Sequence, residues 1–310
     1  MSAAIGGELA GSAASPRARR SVPWPVWLLL AGALAALAVA MAPDWYEITG
    51  PYFLVDGYMV AGWLRSMAPF VVAASVVIGA HRWVAGRTAL HLGAASLGVF
   101  ALLTLASDAW FALFMTNPDE FAALDVQPWL TARGLAAAVT FLAGYLLLAR
   151  GLWRSSDTHR VGATRAAVMG AVGVLGLAST AIGIWTLTLY NWDAPAPVVT
   201  WILIVQGVLT PLGFAAVAAL AAAAVRALPA RGWLPEALVA IGATLVCAGL
   251  GWGWASGAIS PQWDLSFEAM ELLSFVVTFV TVIGFLAMIG GFAAGAVLRH
   301  PGPKRDAETT

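Results

Sequence analysis

The sequence predicts an all-α polytopic membrane protein, and three observations carry that prediction. Of the 310 residues, 61% are hydrophobic and only 10% charged, and the mean hydropathy is +0.84. A soluble chain carries about a quarter charged residues and under half apolar ones. The apolar residues also fall in long blocks, several at or above the roughly 20 residues that cross a bilayer. Finally, the cationic residues recur in every second polar connection. A set of soluble domains is excluded, and so is intrinsic disorder, which requires low hydrophobicity and high charge.

Eight spans follow in order, at about 23–42, 59–80, 89–110, 129–149, 166–190, 198–225, 234–256 and 269–298. The stretch 1–22 is rich in Gly, Ala and Ser and reads as a disordered tail before a transmembrane domain at 23–298, with a second tail at 299–310. The connections are too short to fold into a nucleotide-binding or other soluble domain. The spans group into four hairpins of similar length.

Arg17, Arg19 and Arg20 precede span one, and Arg82 and Arg87 separate spans two and three. Arg150, Arg154, Arg160 and Arg165 separate spans four and five, and Arg226 and Arg231 separate six and seven. Arg299, Lys304 and Arg305 follow span eight, so fourteen of the sixteen cations share one face, here called the basic end. The positive-inside rule makes that face cytoplasmic, with both termini on it and the protein in the cell membrane. The opposite connections hold Asp44, Glu47, Asp56, Asp119, Glu120, Asp125, Asp193, Asp264, Glu268 and Glu271 and form the acidic end. Residues 17–40 also satisfy the outline of a cleaved signal peptide, ending on Ala38-Val39-Ala40. Its loss would leave the other spans in place.

Fifteen tryptophans mark both ends of the spans, ten at the acidic end and five at the basic one. An indole prefers the headgroup boundary, which accounts for two belts without any ligand. The excess at the acidic end also suits a flat apolar ligand such as a quinone or an isoprenoid. Three acidic-end turns pair Trp with Asp, at Asp44-Trp45, Trp192-Asp193 and Trp263-Asp264. These pairs fit either a duplicated hairpin or the coincidence of an aromatic belt with acidic loops.

Several cofactors are argued against. The four histidines, His81, His91, His159 and His300, all sit at or beyond the basic ends of spans, so no facing pair is placed to ligate a b-type haem. Lys304 is the one lysine and lies in the tail, which excludes a retinal Schiff base within a span. No zinc spacing occurs, and the single Cys247, in an apolar run, reads as a small core side chain. A formal net charge of 0 points to no nucleic acid.

Charges within spans are costly and therefore informative. Arg65 and Arg133 lie a few residues inside spans two and four from the acidic end, and Asp108 ends span three. They read either as snorkelling arginines with one bundle-fixing ion pair, or as an anion or headgroup site. Gln206 is the strongly polar side chain near a bilayer centre, heading Gln206-Gly207-Val208-Leu209-Thr210-Pro211. Pro211 has no N–H and so frees the Gly207 carbonyl. Gln206 and Thr210 share one helical face with that carbonyl, and the stripe serves either packing or a ligand. Small-residue seams at Gly170, Gly173 and Gly176, at Gly249, Gly251, Gly253 and Gly257, and at Gly291 and Gly295 predict close helix approach.

Three functions remain in view. The first is a non-haem membrane subunit of a larger assembly, with other membrane subunits as partners and a quinone or lipid pocket towards the acidic end. In span number, size and the pattern Trp192-Asp193-Ala194-Pro195 the chain resembles, in outline, the quinone-reactive anchor subunits of molybdenum oxidoreductases. That likeness includes no diagnostic motif and transfers no residue roles. The second is an uncoupled permease, channel or lipid transporter working at the Gln206–Pro211 kink. The third is a membrane enzyme acting on a lipid at the acidic end; no catalytic motif supports it.

Overall fold

The computed structural model describes residues 66–78, 87–116, 127–155, 162–189, 197–228, 233–259 and 267–298. Among them are seven α-helices: α1 (Ser66–Ile78), α2 (Arg87–Thr116), α3 (Gln127–Ser155), α4 (Ala163–Thr186), α5 (Pro197–Ala227), α6 (Trp233–Ile259) and α7 (Phe267–Leu298). A short 3₁₀ turn, Leu187–Leu189, extends α4. Helices α2 to α7 are each long and apolar enough to cross a bilayer. They coincide with expected spans three to eight, and α1 lies within span two. The first span, Arg65 and both tails fall outside the described residues.

The sequence forms these helices because Ala and Leu are frequent in most of them, and because apolar side chains occupy every face of each segment. Consecutive helices pack as antiparallel hairpins: α2 with α3, α4 with α5, and α6 with α7. The hairpins join through α3–α5, α4–α6 and α5–α6. Cross-pairs running in step show that α3 and α5 are parallel: Gly134 meets Gln206, Phe141 meets Gly213 and Trp153 meets Arg226. Likewise α4 and α6 are parallel, with Arg165 beside Glu236 and Ser179 beside Gly251.

Helix α5 is the centre of the bundle. Its apolar window is 61% buried, against 22% for α4. The cause is legible in the run from Ala215 to Ala224, where Ala alternates with little else and three neighbours can approach the backbone closely. Facing it, Phe100, Phe141 and Tyr145 stack edge-on along the α2–α3 seam, with ring centroids 5.0 and 4.9 Å apart. Gly213 supplies the space for the Phe141 ring; a Cβ there would stand 2.5 Å from Cδ1. The buried face of α1, Val72, Ala73, Val76 and Val77, joins the same core.

Helices α6 and α7 cross glycine on glycine. A Cβ on Gly242 would lie 2.5 Å from the Gly284 carbonyl, and one on Gly284 would lie 2.7 Å from the Gly242 carbonyl. In the expected seam of span five, only Gly176 packs, against Ala218; Gly170 and Gly173 face open space. The α4–α5 contact instead continues two turns on at Gly183, because residues seven apart return to the same helical face and residues three apart drift off it.

Candidate functional site

The polar groups inside the bundle are held mainly by helix backbones. Ser96 donates to the Thr140 carbonyl at 2.9 Å, joining α2 to α3. Thr281 bonds back within α7 to Val277, and Cys247 points its thiol at the Phe214 carbonyl, 3.4 Å away. Such bonds satisfy hydroxyls that would otherwise be stranded in hydrocarbon.

At Pro211 three helices are tied together. The proline ring fits against Gly183, where a Cβ would come within 2.7 Å of Cγ. The Thr180 hydroxyl of α4 lies 2.9 Å from the Pro211 carbonyl and 2.8 Å from the Gly176 carbonyl, which share its one proton. The switch to 3₁₀ geometry takes the Leu187 N–H to the Ile184 carbonyl. The Gly183 carbonyl, which an α-helix would have bonded to Leu187, instead accepts from the Thr186 hydroxyl at 2.7 Å and from Trp254 Nε1 of α6 at 3.1 Å. Trp254 is thus a bundle residue and not part of a belt. By contrast Trp129, Trp185, Trp201 and Trp252 are exposed, as belt residues are.

Gln206 lies one and a half turns from this junction. The sequence puts it near a bilayer centre; in α5 it sits roughly 11 Å from the midpoint of Thr200–Ala227, towards the acidic end. Its amide rests flat on Gly134 of α3: a Cβ at Gly134 would be 2.7 Å from both Nε2 and Oε1 and 2.9 Å from Cδ. Only glycine leaves room for that amide between the two backbones. Thr210, one turn on, donates its hydroxyl to the Gln206 backbone carbonyl at 2.9 Å, so it serves the helix ladder. Among the described residues, the Gln206 amide itself makes no hydrogen bond.

Arg133 precedes Gly134 and turns the other way, donating from Nη1 to the Leu103 carbonyl of α2 at 3.4 Å. Asp108 is five residues beyond Leu103 on α2, about 7.5 Å farther along the axis. Its side chain and the whole of Arg65 lie outside the described residues, and so does the expected ion pair. The structure therefore brings Arg133 and Gln206 to neighbouring positions on either side of α3, around Gly134. That glycine was not singled out from the sequence. Its only signal is its place between Arg133 and a helix-forming run, which distinguishes it little from the other glycines.

Among the described residues no group of three His, Cys, Asp or Glu side chains is placed to hold a metal ion. No protein-family model matches the chain, and no curated protein or solved structure is significantly similar to it. What the chain itself provides is an all-helical bundle with six membrane-length apolar helices.

Proposed function

We propose that this chain is a non-haem, membrane-embedded subunit of a larger assembly, and that the α3–α5 seam at Gln206 receives the carbonyl-bearing head of an apolar ligand, a quinone or a lipid. The observation that carries this reading is the Gln206 amide laid on Gly134 with its donor and acceptor edges unengaged among the described residues. Leaving an amide unsatisfied in hydrocarbon costs several kcal/mol, so its partner is a bound molecule or a neighbouring subunit. An amide N–H donates to a quinone or ester carbonyl, and the exposed Trp129 and Trp201 near the same end of α3 and α5 supply flat apolar surface.

The Pro211 junction supports a scaffold over a moving gate. Its ring and carbonyl are engaged by Gly183 and Thr180 of α4, so bending at the kink would break contacts with that helix, whose Gly183 carbonyl is in turn held by Trp254 of α6.

The test is gentle purification followed by solvent extraction and mass spectrometry of what is released. A quinone or a defined lipid should accompany the wild-type protein together with its partner subunits. Gln206→Leu should fold, keep the partners and lose the small molecule. Equal retention by Gln206→Leu would overturn the ligand reading, and a chain that purifies alone would overturn the subunit reading.

A further inference from the structure

We propose that the basic end of the α3–α5 pair binds the phosphate of an anionic phospholipid, a site separate from the Gln206 seam. Because α3 and α5 run parallel, their C-terminal turns lie side by side. Arg226, in the last turn of α5, places its guanidinium over the Trp153 ring of α3, 4.4 Å from the centroid. Its Nε is buried and has no hydrogen-bond partner among the described residues. Arg150 and Arg154, within one turn of Trp153 on α3, are both exposed.

An arginine at a membrane interface normally extends into water. Here the guanidinium is held back at the edge of the bundle, over an indole that is itself 46% exposed. The ring contact takes up none of its N–H donors in a hydrogen bond among the described residues, and the two terminal Nη groups are the ones that would meet an oxyanion.

Compensation of the helix dipoles does not consume this charge. Two helix C-termini contribute about −0.5 each, against three full positive charges from Arg150, Arg154 and Arg226, which leaves a net of roughly +2. The nearest described carboxylate, Glu236, is engaged by Arg165 across α4 and α6. In the 156–161 connection Asp157 and Arg160 cancel. A phosphate on a diacyl tail suits the position, since the site opens beside an apolar helix surface at headgroup depth.

The experiment follows the thermal midpoint of the purified full-length protein in neutral detergent as phosphatidylglycerol, phosphatidylcholine or inorganic phosphate is added. Phosphatidylglycerol should raise the midpoint saturably, and the other two should not. Arg150→Gln with Arg154→Gln, both at exposed positions, should keep the unliganded midpoint and weaken phosphatidylglycerol binding about five-fold for each arginine removed. Arg226→Gln should weaken it at least as much. An equal response to phosphatidylcholine would overturn the proposal, as would an undiminished response in the double variant. A response reproduced by phosphate alone would show a free-anion site and not a lipid site.

Discussion

Pro211 of α5 seats its ring against the bare backbone of Gly183 on α4, and Thr180, one turn before Gly183, donates to the Pro211 carbonyl. A helix proline leaves both a bulge and a weakened backbone turn. Here the facing helix accommodates the bulge with a missing side chain and adds a hydroxyl contact at the proline's own carbonyl, one turn beyond the Gly207 carbonyl that the proline leaves without its donor.

Gly183→Val should therefore separate α4 from α5. Overpacking of a tight contact costs on the order of 1–3 kcal/mol, so the thermal midpoint in detergent should fall by several degrees. Gly173→Ala, on the same helix but facing open space, should leave it unchanged or slightly raised. Equal effects of the two changes would contradict the packing described for α4.

Trp254→Phe keeps an aromatic ring but removes the donor to the Gly183 carbonyl and part of the indole volume. Hydrogen bonds between membrane helices are worth about 0.6 kcal/mol on average and up to roughly 1.7. The loss should be at least of that size, since ring volume goes with the donor, and its hydrogen-bond part should shrink when Gly183→Val is already present, which a double-mutant cycle on unfolding free energy will read.

At the candidate site, Gly134→Val forces the Gln206 amide off α3 without altering any polar group. Release of the co-purified small molecule should match that of Gln206→Leu. Full retention in Gly134→Val would show that the position of the amide does not matter.

Arg165 and Glu236 form an ion pair between the first turns of α4 and α6, with side chains 22% and 17% exposed. Partial exposure limits its worth to about 1 kcal/mol. A double-mutant cycle with Arg165→Gln and Glu236→Gln should return a coupling of that size, weakening at high salt; zero coupling at low salt would reject the pair.

Cysteine reporters at Ser155 and at Asp264 should be labelled from opposite sides of the membrane, with Ser155 cytoplasmic. Native Cys247 is buried and should contribute little background. Labelling of both reporters from outside would reject the proposed topology.

Helix positions were legible in the chain because hydropathy is a local property: a block of about 25 apolar residues reports its own length without knowing its neighbours. The same holds for the basic and acidic ends, where charge alternates loop by loop, and for the kink at Pro211, which is chemistry within one residue. Membrane helices that are apolar on all sides give no comparable signal about which face touches which. That is why Gly170 and Gly173 read as a seam and face open space, while Gly134, Gly183, Gly242 and Gly284, in close contact, did not stand out. Hydropathy by itself determined six helices of membrane length, but not where each ends: spans expected to stop at 110 and 149 run on to Thr116 and Ser155. Only the tertiary structure decided that α5 lies at the centre, that Trp254 turns inward, and that Gln206 rests on Gly134, because backbone approach and hydrogen bonds depend on pairs of residues far apart in the chain, 31 positions for Thr180 and Pro211 and 71 for Trp254 and Gly183.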